Sequence, residues 1–427
     1  GTANAPKTPA NLVTKTVCVS GCDYSTIQAA INAASAGWTI QVKNGIYYNP
    51  SNNPVANLGW KSGTQQNPIT LMAYPRHTPI IDCTNGGWQS ANPTPAINQN
   101  GISLFYSNWW IIDGFEIRGC GWWGIRGLYS NNITIRNSHI HHNLADGISF
   151  AYGSDIYIVD NEIDSNGLIP NGCPVYHKFC HGMYLGGDTN DSSCTMKSVT
   201  VRRNYIHDHH GFGMHIWGGN SCNQVESNTL IENNLLVNNQ YGGWEISKAY
   251  LGNRYRNNTV VLTNIPTPTA PSPYGEYASL LQIQYATATT PQNQVYNNIF
   301  YATQSSYNVP WYSRVIPVYP IIVRDGTSAA ASVLNNNLWY VSSKTAWIYN
   351  GNYQSDFNAQ YKSLTGWDTN GILADPLFVN LSGGDYHIQS GSPARNRGNN
   401  NQCSAFDLDN QPRPQEGVCD IGAYEFP

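Results

Sequence analysis

A repeat of 23 to 35 residues restricts the possible folds of this chain more than any other feature of its sequence. Each unit opens with a glycine and a short alternating apolar segment, and a second, β-branched segment follows after a turn. A repeat of this length indicates a solenoid, and short strands with no helical pattern between them favour an all-β one. Each coil would bury its inward residues against the coils on either side. The units open at Gly101, Gly124, Gly147, Gly182, Gly213 and Gly243.

An asparagine recurs at the corresponding place of six units, after the second strand. We expect these side chains to stack at a turn and to hydrogen-bond along the solenoid. A β-sandwich, the other all-β architecture considered, does not need one asparagine in register in successive units. The pattern therefore favours the parallel solenoid. The six residues are Asn161, Asn204, Asn234, Asn258, Asn298 and Asn337.

The two ends of a solenoid are open sheet edges that must be covered. Residues 24–36 carry apolar side chains at helical spacing, with Ser25 as a candidate N-cap and Gly37 as the stop, so we predict a short capping helix. We predict one domain, with an N-terminal segment and cap over about 1–45, coils over about 46–380, and C-terminal coils and a cap over about 381–427.

The ten cysteines are even in number and lack zinc-ligand spacing, which favours disulfides and a secreted or periplasmic protein. The net charge of −4 argues against nucleic acid as a partner, and no apolar run is long enough to span a membrane. We expect a monomer. Five bridges are possible, although the sequence leaves their connectivity open: Cys18/Cys22, Cys83/Cys120, Cys173/Cys180, Cys194/Cys222 and Cys403/Cys419.

The opening helix and strand, the Gly-Ile/Met coils and the closing "SGSPARNRG…DNQPRP…VCDIGAYEF" together carry a resemblance. They resemble secreted right-handed parallel β-helix proteins of the pectate-lyase-like superfamily. The resemblance implies that fold over most of the chain and an activity on carbohydrate. It does not choose the reaction, because the superfamily includes polysaccharide lyases, glycoside hydrolases and sugar epimerases. The paired-Asp and Arg-x-Lys signatures of polygalacturonases do not occur, and the motifs of no particular lyase family are matched.

Alternate residues of a strand face opposite sides, so the third residue of each unit should point away from the core. These residues should form one row on the outer face, with neighbours about 5 Å apart. The residues that "GMYLGG" and "GMHIWGG" share are then structural, and the residue that differs between them points outward from the sheet. The row contains Ser103, Arg126, Ser149, Tyr184, His215 and Glu245, with Gln282 and Arg324 as possible extensions.

Three long connections should wall this face near Tyr184, His215 and Glu245. They are residues 165–181, 207–212 and 264–278. Loops enlarged beside one part of a rigid scaffold usually carry function. The first two bring further polar groups towards the row, and those groups are Lys178, His181 and Asp208.

Histidine, lysine and tyrosine suit the base and the acid of β-elimination from a uronic-acid polymer. We therefore predict a polysaccharide lyase with a groove on the solenoid face. Arginine or Ca²⁺ would neutralise sugar carboxylates, and Ca²⁺ is the cofactor that this chemistry leaves open. The candidate catalytic residues are Tyr184, His215, His181, Lys178 and Glu245, and the candidate substrate-binding residues are Arg126, Asp146, Asp208, Lys248, Trp217 and Arg324.

Alternatives remain for the function and for single residues. A glycoside hydrolase would pair Glu245 with a loop aspartate, Asp208 or Asp188, because Asp146 should lie about 14 Å away. A non-catalytic carbohydrate-binding or adhesin solenoid is the third possibility. The histidines over 207–215 lack a recognised zinc or copper spacing.

Several of the candidate residues also have a purely structural interpretation. Lys178 would be a plain surface lysine, and Glu245 with Lys248 a local ion pair. His181 would bond the next turn, and its pairing with Asp146 would be a turn contact only.

Overall fold

Most of the backbone of this chain is described by a computed structural model. The described residues are 13–51, 53–87, 99–167, 180–186, 196–217, 228–247, 252–265, 278–284, 293–309, 314–324, 326–330, 332–342, 347–349, 352–354 and 361–427. Within these ranges the chain winds as a right-handed parallel β-helix with three long sheets, as the repeat predicted.

Each coil contributes one strand to each sheet, so neighbours in a sheet come from successive coils. The strands of sheet 1 are Val13–Val17, Trp38–Val42, Ile69–Ala73, Asn108–Asp113, Asn131–Arg136, Ser154–Val159, Lys197–Arg202, Leu230–Glu232, Asn253–Arg256, Asn293–Tyr296 and Ser332–Asn335. Those of sheet 2 are Ile46–Tyr47, Ile80–Asp82, Glu116–Arg118, His139–His141, Glu162–Asp164, Tyr205–His207, Leu235–Val237, Thr259–Leu262, Ile299–Ala302, Leu338–Val341 and Ile372–Leu373.

Sheet 3 carries the repeated Gly-apolar segments. Its parallel strands are Ala56–Asn57, Ile102–Phe105, Ile125–Leu128, Ile148–Ala151, Met183–Gly186, Phe212–Trp217, Gly242–Ser247, Ala278–Gln284, Arg314–Val323 and Trp347–Tyr349. Ser306–Val309 is added antiparallel to Arg314–Val323, and Asn352–Gln354 antiparallel to Trp347–Tyr349. A separate antiparallel pair is formed by Phe378–Asn380 and Asp385–Ile388. The helices are Ile27–Ala33, Gly326–Ala330 and Ser363–Thr365, with 3-10 turns at Leu381–Gly383 and Asn400–Gln402.

The N-terminal helix is shorter than the sequence predicted, and Ser25 is not its cap. It covers Ile27–Ala33, and the side chain of Thr26 accepts the hydrogen bond from the Ala29 backbone N–H. Thr26 has the extended backbone that an N-cap needs, so the helix starts one residue after the predicted position. Ile27 and Ile31 are buried in the main core, which is how this helix covers the first coils.

The repeated glycine is explained by close approach between coils. A Cβ atom added to Gly182 would lie 2.6 Å from the carbonyl oxygen of Gly213 and 2.6 Å from the His209 Nε2 atom. Contacts this short do not occur for real Cβ atoms, so a larger residue would force the coils apart. The glycines therefore set the spacing at the corner before sheet 3.

The predicted asparagine ladder is confirmed. At each step the side-chain Oδ1 of one asparagine accepts the backbone N–H and the side-chain N–H of the preceding one; Asn204, for example, donates both to Asn234 at 3.0 Å. The ladder ends where Asn337 donates to Asp368. All six side chains are buried, so the ladder satisfies turn groups that water cannot reach.

The C-terminal segment packs along the outer side of sheet 2. A second set of asparagines, each directly before a ladder asparagine, binds it through side-chain hydrogen bonds. Asn257 accepts from the Ser404 backbone N–H and donates to the Asp420 carbonyl. The apolar contacts join Phe378, Tyr386, Ile388, Ala394 and Ile421 to Leu235, Val237, Val261, Ile299, Tyr301 and Leu338.

Three of the five expected disulfides lie in the described residues. They are Cys18–Cys22, Cys83–Cys120 and Cys403–Cys419. Cys180 is also disulfide-bonded, while Cys173, Cys194 and Cys222 lie outside the described residues. Disulfides are consistent with a non-cytoplasmic location. Across the described ranges, no helix is long and apolar enough to cross a membrane.

Candidate active site

The predicted row on sheet 3 exists in the predicted register. Tyr184 pairs with Ser149 on one side and His215 on the other, and His215 pairs with Glu245, which pairs with Gln282. The alternate residues Met183 and Met214 lie in the main core, so the row points away from it.

The row is not the open face that the sequence predicted. Tyr184 is 8% exposed, His215 3% and Glu245 1%. Strand alternation determines which side of the sheet a residue takes, but it does not determine what covers that side. These side chains are packed against one another, and their charges and protons therefore interact strongly.

Two histidines of this cluster form a directed hydrogen-bond chain. The Phe212 backbone N–H donates to Nδ1 of His181 at 3.0 Å, and Nε2 of His181 lies 3.1 Å from Nδ1 of His215. A backbone N–H can only donate, so the proton of neutral His181 is on Nε2, which donates to His215. The proton of neutral His215 is therefore on its own Nε2.

The Nε2 atom of His215 lies 3.5 Å from Oε1 of Glu245. That oxygen also accepts hydrogen bonds from the Ser247 hydroxyl and the Gln284 amide. Oε1 is thus held by the protein on several sides. The hydrogen bonds run in one direction from the backbone of Phe212 through His181 to His215, and the Nε2 atom of His215 then lies 3.5 Å from the carboxyl group of Glu245.

The second oxygen of Glu245 differs from the first. Oε2 is buried and has no hydrogen-bond partner among the described residues. Burial raises the pKa of Glu245 to about 7, although the bonds from Ser247 and Gln284 and the charge of Arg324 act in the opposite direction. Near neutral pH this carboxyl group is therefore present both with and without its proton. Such a group in an enzyme-like cluster is a candidate functional group.

Asp146 supports the same cluster from the preceding coil. Its Oδ1 accepts the His181 backbone N–H at 2.9 Å, and its Oδ2 accepts the Trp123 indole N–H at 3.1 Å. Burial raises its pKa to about 7 against these two bonds. The predicted contact between Asp146 and His181 is confirmed, and it is made through the backbone of His181. Asp146 therefore positions the histidine strand.

Aromatic rings enclose His215. The Tyr184 ring lies edge-to-face with it at 5.2 Å between centroids, and the Trp217 ring does so at 5.9 Å. Phe212 contacts His181 on the other side at 5.8 Å. The rings hold the imidazole in one orientation and lower the local polarity.

The two arginines occupy different places. Arg126 is on the row, donates to the Ser149 hydroxyl and lies over the Trp123 ring at 4.6 Å. Arg324 is not on the row, contrary to the possible extension. It follows Val323, which pairs with Ile283, so it continues the parallel row that contains Trp217, Ser247 and Gln284.

The histidine-rich loop does not deliver its residues to this cluster. Asp208 hydrogen-bonds His207 at 2.7 Å beside sheet 2, away from Glu245. His209 takes the place of an asparagine in a second ladder: its Nδ1 accepts the Asn166 backbone N–H, and its Nε2 lies 3.0 Å from the Ile163 carbonyl. Burial lowers the pKa of His209 to about 3, so it stays neutral.

Lys178, Lys248 and Asp188 lie outside the described residues, as do most of the predicted walls at 165–181 and 264–278. Sequence reasoning missed Ser247, Gln284 and the backbone of Phe212. Strand alternation could have identified the first two, because each lies two positions after a row residue and faces the same way.

A possible metal-binding group lies on sheet 2, away from this cluster. The side chains of His139, Glu162 and Asp164 bring a ring nitrogen and two carboxylate oxygens within 4.8 Å of one another. His139 Nε2 already lies 2.6 Å from Asp164. Within the described residues, no other group of three histidine, cysteine or acidic side chains converges in this way. Calcium needs about six to eight oxygen ligands, which the Glu245 cluster does not bring together among its described residues.

Comparisons with known proteins agree with the architecture. The family model described as "Pel9A-like, right handed beta helix region" matches residues 20–172. The structure of the pectate lyase Pel9A is 15% identical, with 93% of this chain and 90% of that chain covered and a TM-score of 0.56. A rhamnogalacturonan lyase is 14% identical, with 87% and 91% covered and a TM-score of 0.52. Identities this low show a shared fold alone. No curated protein sequence matches the chain.

Proposed function

We propose that this right-handed parallel β-helix protein, whose residues 20–172 match the Pel9A-like family model, cleaves a uronic-acid-containing polysaccharide by β-elimination. The proposed site is the cluster of Tyr184, His181, His215 and Glu245 on sheet 3. One observation carries the proposal: the buried Oε2 atom of Glu245, without a described partner, belongs to a carboxyl group with a pKa of about 7.

β-Elimination needs a group that stabilises the substrate carboxylate as negative charge develops on it. In its protonated form Glu245 donates a hydrogen bond from Oε2 to that carboxylate, and a neutral donor avoids repulsion between two anions. Arg324 lowers the pKa of Glu245 by its charge, so it lies close enough to attract the same carboxylate. We assign Glu245 and Arg324 to this role.

Tyr184 is the proposed acid and base. The base removes the proton from the carbon beside the carboxylate, the electron pair of that C–H bond forms the new C=C bond, and the C–O bond to the leaving sugar breaks. Tyr184 must act as its phenolate to take the first proton, and the hydroxyl group so formed then donates that proton to the oxygen of the leaving sugar, which restores the phenolate. Tyr184 is the row residue next to His215 and contacts its ring.

We assign His215 a positioning role, which differs from the acid or base predicted from the sequence. Its Nδ1 accepts from His181, and its Nε2 faces Glu245. A histidine that already accepts one protein hydrogen bond and directs its proton towards a carboxyl group is better suited to orienting that group than to attacking substrate. Lys178, Lys248, Asp208 and Asp188 have no role in this scheme.

Secretion and calcium complete the proposal. The disulfides support a secreted or periplasmic enzyme. Calcium is proposed only as an aid to binding sugar carboxylates, and activity measured before and after treatment with a chelator tests it.

The deciding experiment incubates the native protein with pectate, alginate and glycosaminoglycans, and then with xylan and other neutral glycans. Elimination leaves an unsaturated uronide that absorbs in the near ultraviolet, and we expect that absorbance with at least one acidic polymer. New reducing ends without the absorbance would replace the proposal with hydrolysis. Neither signal on any polymer would favour a carbohydrate-binding solenoid.

A further inference from the structure

Four aromatic rings from successive coils form a column at the edge of sheet 3. Trp60 stacks on Tyr106 at 4.3 Å between centroids, Tyr106 on Tyr129 at 4.8 Å, and Tyr129 on Tyr152 at 4.7 Å. The planes are within 18° of parallel. We call these four residues the aromatic column.

The backbone at the column is of a kind that aromatic residues seldom adopt. All four residues have positive φ, between 51° and 61°. A bulky side chain in this region is an outlier, and glycine or asparagine would occupy such a turn more easily. At the corner between sheet 1 and sheet 2, residues with the same positive φ are often asparagines, for example Asn137 and Asn257. The choice of aromatic residues in four consecutive coils therefore needs a reason beyond the turn itself.

Part of the column is open to solvent. Trp60 is the terminal ring and is 78% exposed, and Tyr106 is 45% exposed, whereas Tyr152 at the other end is buried. The exposed end is formed by the first coils of sheet 3, and the buried end leads to the candidate active site. Ser149, on the strand that Tyr152 follows, pairs directly with Tyr184.

We propose that the aromatic column is a binding surface for a stretch of acidic polysaccharide that extends from the active site towards the N-terminal coils. Flat aromatic rings bind the apolar C–H faces of sugar rings, and the ring face of Trp60 that does not stack on Tyr106 is available for one sugar unit. Tyr106 is covered on both faces by Trp60 and Tyr129, so it would contact the polymer through its exposed edge and its hydroxyl group. Arg126 lies on the strand that leads into Tyr129 and supplies a positive charge beside the column. The column spans four coils, about 14 Å along the solenoid axis, which is long enough for several sugar units.

This inference rests on the proposed function for the identity of the polymer, and it concerns a surface that the elimination chemistry does not use. Its consequence is that the protein prefers long chains. A short oligosaccharide bound at Tyr184 does not reach Trp60, whereas a polymer contacts both places.

The test compares native protein with the double variant Trp60→Ala, Tyr106→Ala. Binding to pectate and to alginate is measured by affinity electrophoresis, and cleavage is measured on the polymer and on its shortest cleaved oligosaccharide. We expect about tenfold weaker polymer binding and an unchanged rate on the short oligosaccharide. Tyr48→Ala is the matched control, because Tyr48 is 52% exposed in the same N-terminal part of the chain but outside the column. Trp60→Tyr keeps a flat ring and should retain polymer binding.

Unchanged polymer binding in the double variant, or an equal loss in Tyr48→Ala, would overturn the inference. If the double variant cleaves the polymer as fast as native protein does, the proposed function stands and only the proposed binding surface is removed. Polymer binding that depends on Trp60 without any cleavage supports the binding surface and removes the proposed lyase activity. A melting temperature within a few degrees of the native value shows that the double variant is folded.

Discussion

The Nε2 atom of His181 lies 3.1 Å from the Nδ1 atom of His215, and the direction of this hydrogen bond follows from the backbone of Phe212. Because the Phe212 N–H occupies the other nitrogen of His181, the donor in the pair is His181. The Nε2 atom of His215, which then carries its proton, lies 3.5 Å from Oε1 of Glu245, and the strand register pairs His215 with Glu245 on adjacent strands of sheet 3. The following predictions depend on this arrangement.

Replacing Glu245 distinguishes a role as hydrogen-bond donor from a role in proton transfer. If the protonated carboxyl donates a hydrogen bond to the substrate, Glu245→Gln keeps a donor and should retain most of the activity below pH 7. Glu245→Ala removes the donor and should lower kcat by about 10²–10³-fold. Initial rates of the two variants on the same polymer provide the measurement. An inactive Glu245→Gln would instead indicate that the proton itself is transferred, as in glycoside hydrolysis.

The pH profile of activity provides a separate prediction. Native Glu245 loses its proton as the pH rises through about 7, so activity should fall on that side. Glu245→Gln cannot lose a proton, and this decline should disappear from its kcat profile. Glu232→Gln is the matched control, since Glu232 is also buried but is ion-paired with Arg202 and Arg256. If the activity of Glu245→Gln still declines as the pH rises through about 7, the decline is caused by the titration of another group.

Glu245 should also affect stability in a defined pH range. Its folded-state pKa is raised from 4.5 to about 7, so the folded protein holds this proton more tightly than the unfolded chain. The free energy of unfolding contributed by Glu245 therefore decreases as the pH rises from about 4.5 to about 7 and levels off above that. Glu245→Gln lacks this loss and should be more stable than native protein at pH 8 by on the order of 1–3 kcal/mol, with the difference shrinking towards pH 5. Thermal melts of both proteins across this range measure it, and a constant difference would contradict the raised pKa.

His181 is predicted to be a positioning residue. In His181→Asn the amide oxygen can still accept the Phe212 N–H, but the bond to His215 is lost. This variant should fold like native protein and show a lower kcat with little change in KM. His181→Ala should lose the catalytic rate and also about 1–3 kcal/mol of stability, because it leaves the Phe212 N–H without a partner. Equal kcat in native protein and His181→Asn would show that the hydrogen-bond chain does not serve the reaction.

His209 is predicted to be purely structural. Asparagine fills the equivalent place in the neighbouring coils, where Asn143 donates to Asn166 and Asn239 accepts the His209 N–H. His209→Asn should therefore leave both activity and stability nearly unchanged. His209→Ala should reduce stability by about 1–3 kcal/mol, since it leaves the Asn166 N–H without its acceptor. Chemical denaturation compares the three proteins, and a loss of activity in a stable His209→Asn would return this histidine to the list of functional residues.

The docking of the C-terminal segment is predicted to depend on Asn257. Asn257→Ala removes the bonds to Ser404 and Asp420, and limited proteolysis should then cleave the segment after about residue 395 faster than in native protein. Asn137→Ala is the matched control, because Asn137 has the same positive φ in an earlier coil and bonds only Asp113 among the contacts described. If the control is cleaved equally fast, the turn conformation matters more than the contact with the segment.

The sequence by itself determined the coil, its repeating glycine, the asparagine ladder and the register that aligns Tyr184, His215 and Glu245. These properties follow from periodicity, because residues at equivalent places of successive coils must meet when the coils stack. The paired positions of Asp146 and His181 could be predicted for the same reason. Alternation along the strands also predicted correctly that the row points away from the core.

Only the tertiary structure decided how deeply the row is buried, which way its protons point and which neighbours belong to it. Burial depends on what packs over a face, and no local pattern records that. The role of His209 could also be assigned only from the fold. The sequence around it indicated a histidine in a loop, but in the structure it occupies a ladder position that asparagine fills in other coils. Asp208 was assigned to the wrong place for a related reason, since a loop at the corner of a coil can direct its side chain to either of two sheets. Periodicity specifies which residues share a row, whereas hydrogen-bond direction and the pKa of a buried carboxyl depend on atoms from several coils at once.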